Sequence, residues 1–168
     1  LVTGVQTCAL PISQGERDQD NEPSAQFIVL SADSESALKA RAAQLVGWVD
    51  ACTPTPRMLE QVAYTLQVGR KPMEFRMGFK AASFPELSEV LREYLKCGNV
   101  SSNDTFLHGR VSRQGEGLIS QSTPVDALER WISGAEVDWP LLRTDQLSRR
   151  VSLPTYSFEG ERFWPVAR

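Results

Sequence analysis

Residues 27–134 of this 168-residue chain predict a small α+β domain. One segment, residues 73–81, alternates apolar and polar side chains with a period of two, the signature of a strand with one wet face. Four other segments carry apolar stripes at helical spacing. A pair of these helices separates the strand candidates. The order predicts a small antiparallel sheet of about three strands with helices packed on one face, followed by an extended aromatic C-terminal tail.

Phe27, Ile28, Val29 and Leu30 form a short apolar run closed by Ser31 and Asp33, which reads as a buried strand. Asp33 or Ser34 then caps a helix to Ala51, with Leu38, Ala42, Leu45, Val46 and Val49 on one face. Thr55-Pro56 starts a second helix, since proline at the first helical position loses an N–H that has no partner anyway. Its stripe is Leu59, Val62, Ala63 and Leu66, and Gly69 stops it. In the alternating strand, Met73, Phe75, Met77, Phe79 and Ala81 face the core and Glu74, Arg76, Gly78 and Lys80 face water. Ser83 and Glu86 make a capping box for a third helix that carries Leu87, Val90, Leu91, Tyr94 and Leu95 and ends at Gly98. Residues 99–122 are polar and rich in Gly and Ser, with a third strand placed near Val100 or Phe106. Thr123-Pro124 caps a short helix with Val125, Leu128 and Ile132 inward, closed by Gly134.

Composition narrows the function classes. The chain is 41% hydrophobic and 23% charged, with a net charge of −3, as expected of an ordinary globular domain. No Lys/Arg run marks a nucleic-acid binder, and no apolar run nears the roughly 20 residues that span a bilayer. The three cysteines, Cys8, Cys52 and Cys97, are far apart and odd in number, which argues for a reducing, cytoplasmic setting. With one His and no CxxC, a Cys/His zinc site has no ligands to draw on, so no metal is expected.

Three blocks resemble modular polyketide synthases. FIVLSADSESALKARAAQL (27–45) and LEQVAYTLQVGRKPMEFRMGF (59–79) are similar to the linker domain that follows the ketosynthase. RRVSLPTYSFEGERFW (149–164) looks like the segment that follows the acyltransferase position and runs back toward the ketosynthase. About forty residues separate Gly98 from Trp139, too few for a domain of roughly 100–200 residues. The acyltransferase pattern GxSxG is absent, and GNVSSND (98–104) resembles the stretch found in synthases served by a separate acyltransferase.

The resemblance implies a non-catalytic piece of a trans-acyltransferase polyketide synthase. The ketosynthase of the same chain is its expected partner, with a separate acyltransferase and a carrier domain as visitors. The parent is expected to be a homodimeric transferase that extends polyketides on carrier thioesters. Phosphopantetheine would sit on the parent's carrier domains; no cofactor is expected in these residues. Neither nucleic acid nor membrane is an expected partner.

The organisation read from this is a lead-in at 13–26, the linker domain at 27–98, a polar flexible segment at 99–122, a short helix at 123–134 and the tail at 135–168. Residues 1–12 stand apart. VTGVQTCALPI resembles a translated sequencing-adapter oligonucleotide, so this stretch is set aside and the gene piece is expected to begin mid-protein.

The tail supplies the candidate docking residues Leu153, Pro154, Tyr156, Phe158, Arg162, Phe163 and Trp164. Rings this dense, with no period of their own, must lie across another surface. That surface is either the domain's own elements or the ketosynthase. Cys52 and His108 are the one pair that could form a thiolate–imidazole dyad. They have no flanking motif, and a bland reading (an incidental thiol and a solvated imidazole) is the better one. The alternatives to a linker are a free-standing interaction module with an aromatic tail, and a small thiol enzyme built on Cys52 and His108.

Overall fold

The computed structural model of the protein describes residues 25–55, 57–111, 123–142 and 149–155. Strand β1 (Gln26–Ala32) leads into helix α1 (Glu35–Ala51) and helix α2 (Met58–Val68); strand β2 (Phe75–Ala81) and helix α3 (Phe84–Cys97) follow. Strand β3 (Leu107–Arg110), helix α4 (Pro124–Ser133) and a 3-10 turn at Trp139–Leu142 complete the order. The sheet is antiparallel in the order β1-β2-β3, with Ile28 opposite Phe79 and Met77 opposite His108. The expected α+β fold with three antiparallel strands is what the chain forms.

Local chemistry sets the helix ends. The Ser34 hydroxyl accepts from Ala37 N at 3.1 Å, and Ser83 accepts from Glu86 N at 3.3 Å. Glu86 reaches one residue further back than a capping box requires, to Ala82 N at 2.7 Å. Thr123 and Asp126 close a complete box at the start of α4. Gly98 and Gly134 end α3 and α4 at φ 71° and 113°, where a side chain would be strained. Helix α2 begins at Met58 and its N-cap, Arg57, makes no side-chain cap, so it starts later than the Thr55-Pro56 signal suggests. Pro56 itself lies outside the described residues.

The register fixes two faces. Ile28, Leu30, Met77 and Phe79 share one, covered by α1 and α3, and Phe79 meets Phe106, which in turn meets Tyr94 of α3. The expected apolar stripes of α1 and α2 are buried throughout. Helix α4 lies across the opposite face, a second layer beyond the one-sided packing expected. A Cβ at Gly78 would come within 2.4 Å of Leu128 Cδ1, so the missing side chain makes room for α4. The face of β2 read as wet is therefore half dry: Arg76 and Gly78 are buried, while Glu74 and Lys80 are exposed. In α4 the inward residues are Ala127, Leu128 and Trp131; Val125, expected inside, is 40% exposed. Trp131 meets Trp139 edge-on, and the turn that carries Trp139 touches α2.

Candidate functional site: the seat of the returning chain

Two arginines and a threonine in the 59–79 block hold the segments that return after β3. Arg76 is 7% exposed. Its Nε donates to Met73 O at 2.8 Å, and its Nη1 donates to Trp131 O in the last turn of α4. The guanidinium also sits 5.0 Å from the centre of the Trp131 ring. A cation suits that position, because the C-terminal end of a helix carries partial negative charge. Burial lowers the Arg76 pKa below the usual guanidinium value.

Arg70, just past α2, reaches the tail. Its Nη2 donates to Pro154 O at 3.0 Å and, over a longer 3.4 Å, to Leu153 O. One helical turn back, Thr65 Oγ1 accepts from Val151 N at 2.9 Å and donates to Gln61 O at 2.7 Å. Leu153 is buried in a narrow crevice with Leu30, Leu45 and Leu66, beside Arg41 and Gln44. Pro154 lines the same crevice and is half-buried. Of the seven candidate docking residues, Leu153 and Pro154 thus meet this domain's own surface. Tyr156, Phe158, Arg162, Phe163 and Trp164 lie outside the described residues. Residues 1–12 and most of the 13–26 lead-in lie outside them as well.

The GNVSSND stretch is consumed internally. Glu93 accepts from Ser101 N at 2.8 Å and from the Ser102 hydroxyl, and those bonds, in that order, hold its carboxyl below the usual range. Asn103 Nδ2 donates to Lys80 O at 2.8 Å, and Lys80 N donates to Thr105 Oγ1 at 2.9 Å. These two side chains stand in for strand backbone where β3 has not yet begun. The segment read as flexible, 99–122, therefore contains β3 and an anchored turn within its described part.

The thiol and imidazole have separate surroundings. Cys52 caps the end of α1 with Sγ 3.5 Å from Met58 Sδ. His108 lies on β3, within the segment read as polar and flexible; it is exposed, and its ring centre lies 5.6 Å from that of Phe106 with the rings tilted at 49°. Among the described residues no group of His, Cys, Asp and Glu could hold a metal ion. No described helix is long and apolar enough to cross a membrane.

Residues 29–97 match the family model for the RhiE-like, KS-MAT linker domain. This segment is a linker domain of that family. The chain is 36% identical over 151 residues to polyketide synthase PksL of Bacillus subtilis strain 168, covering 82% of this chain and 3% of that protein. Polyketide synthase PksN of the same strain is 32% identical over 152 residues, again 82% of this chain and 3% of that protein. The chain thus spans a few per cent of the length of these curated relatives. Among solved structures, it resembles the ketosynthase from module 6 of the Bacillus subtilis 168 bacillaene synthase, with a TM-score of 0.71 at 30% identity. That likeness covers 83% of this chain and 28% of the other. Ketosynthase twelve of the bacillaene synthase in Bacillus amyloliquefaciens gives a TM-score of 0.65 at 33% identity, over 84% of this chain and 25% of that one.

Sequence reading missed the seat itself. The signals were present: a glycine in the middle of a strand marks close approach of another element, and an arginine two residues before it needs acceptors if that approach buries it.

Proposed function

We propose that this chain is the ketosynthase-flanking linker of a modular polyketide synthase and that it works mechanically, with no catalytic residue of its own. The observation that carries the reading is the likeness to solved ketosynthases over 83% of the chain, a wider share than the residues 29–97 that match the family model. The sheet with α1 and α3 is a rigid wedge. Arg76 and Arg70 fasten α4 and the tail to it, and the aromatic residues from Tyr156 to Trp164 continue onto the ketosynthase. This fixes where the next domain leaves the condensing unit.

A trans-acyltransferase parent is the favoured type. The interval from Gly98 to Trp139 holds β3, α4 and the internally bonded GNVSSND turn, and is too short for an acyltransferase. In this reading the parent, a homodimer of the cytoplasm, condenses acyl groups held on phosphopantetheine, with a separate acyltransferase and a carrier domain visiting the condensing unit.

Sequencing the reading frame on both sides of this stretch tests the proposal. A ketosynthase immediately upstream and no GxSxG-bearing acyltransferase within the module are expected. An acyltransferase encoded in the same module would end the trans reading, and the lack of any upstream ketosynthase would end the linker reading itself.

A further inference from the structure

We infer that Arg70 and Thr65 form a backbone clasp that sets the direction in which the tail leaves the domain, making Arg70 the positioning residue for whatever the tail goes on to meet. The inference goes beyond the linker reading and stands on intramolecular contacts alone.

The clasp reads main chain. Arg70 addresses the carbonyls of Leu153 and Pro154, and Thr65 addresses the N–H of Val151. Donors and acceptors of this kind do not depend on which side chains the tail carries. One side chain, Leu153, adds a knob that fixes the register of the strap in its crevice. Arg70 is committed to this contact. Its Nε is enclosed and finds no acceptor among the described residues. The guanidinium thus gives up hydration at one nitrogen to place another on the strap, a cost that a solvated surface arginine would not bear. The two contacts lie on either side of Leu153, so the backbone is held before and after its anchor. Thr155, directly beyond, is exposed. A chain held at 151 and again at 154 has little freedom in its heading at 155, whereas one held by Leu153 alone could swing.

The clasp is tested in the full chain by two variants and a local readout. R70M keeps an apolar stem but removes the donors; T65V keeps the shape but removes the acceptor. Amide exchange is followed at Val151 and in β1, together with tryptic cleavage after the exposed Arg149 and Arg150. Both variants are expected to speed exchange at Val151 and cleavage after Arg150 with β1 exchange unchanged: R70M, which loses a charged donor, by about tenfold or more, and T65V, which loses a neutral bond, by about two- to tenfold. Unchanged exchange at Val151 in both would overturn the clasp. Equal acceleration at Val151 and in β1 would also overturn it, because Arg70 and Thr65 would then support the whole fold rather than the strap. Neither outcome depends on the ketosynthase, so the clasp and the linker proposal fail separately.

Discussion

Replacing Arg76 with Met removes the two hydrogen bonds that join β2 to the loop before it and to the last turn of α4, while filling nearly the same volume. Each bond from a charged donor contributes about 1.5–3 kcal/mol, and the stacking on Trp131 about 0.5–2 kcal/mol. Two effects work against this. Trp131 O keeps a second donor, Gly134 N at 3.2 Å, and the variant no longer has to desolvate a cation, a cost of several kcal/mol in a dry site. The difference leaves a net loss of about 2 kcal/mol. With a urea dependence of about 1–3 kcal/mol per molar, the unfolding midpoint should fall by about 1 M. Urea titration followed by circular dichroism reads this directly. A midpoint within about 0.2 M of the parent chain would show that the arginine is an ornament of the α4 contact rather than its fastening.

Further predictions concern the anchor, the caps and acid. Leu153→Ala should cost about 2 kcal/mol of local docking energy and raise tryptic cleavage after Arg150, with little change in the global melting temperature; equal cleavage rates would deny the crevice its role. Gly134→Ala should destabilise more than Gly98→Ala. Both replace a left-handed residue at about 1–2 kcal/mol, but a Cβ at Gly134 also meets Val111 Cγ1 at 2.6 Å, whereas Gly98 has open space; thermal melts showing the reverse order would contradict the packing. Asp126 is held below the ordinary carboxylate range, first by the Thr123 hydroxyl and then by the Thr123 backbone N–H. A depressed folded-state pKa gives stability that is present above the unfolded value and lost as pH falls through the folded one. Asp126→Asn should therefore melt lower than the parent at neutral pH, and the gap should close on acidification; a gap that widens in acid would reverse the assignment.

How far the fold was legible follows from the range of the forces involved. Ser34, Ser83 and Thr123 announce their helices because capping is settled within three residues. Leu38 through Val49 and Leu59 through Leu66 announce their buried faces because a stripe needs only a covering surface, not a particular one. Arg76 and Gly78 misled because their alternation with Met77 and Phe79 is the pattern of a wet face, and only a distant element, α4, dries it. Val125 misled for a related reason. It sits at helical spacing from Leu128, yet α4 turns Ala127 and Trp131 inward in its place. The third strand could be placed only loosely, near Val100 or Phe106, because four residues of edge strand leave too short a pattern to fix. At the candidate site, Leu153 and Pro154 were legible as residues that must cover some surface, since apolar side chains in an aperiodic segment cannot bury themselves; that the surface is this domain's own crevice was not. Arg70 and Thr65, which receive them, were not, because a hydrogen bond to backbone leaves no mark on the partner's side chains.

The most direct measurement of the central proposal is the affinity of the chain for the ketosynthase that the proposal places beside it, determined by calorimetry with and without residues 156–168. The account predicts a defined complex for the whole chain and a loss of at least about tenfold on truncation, since burying even one aromatic ring contributes about 1.5–3 kcal/mol. Equal binding with and without those residues, or no binding by either, would contradict it.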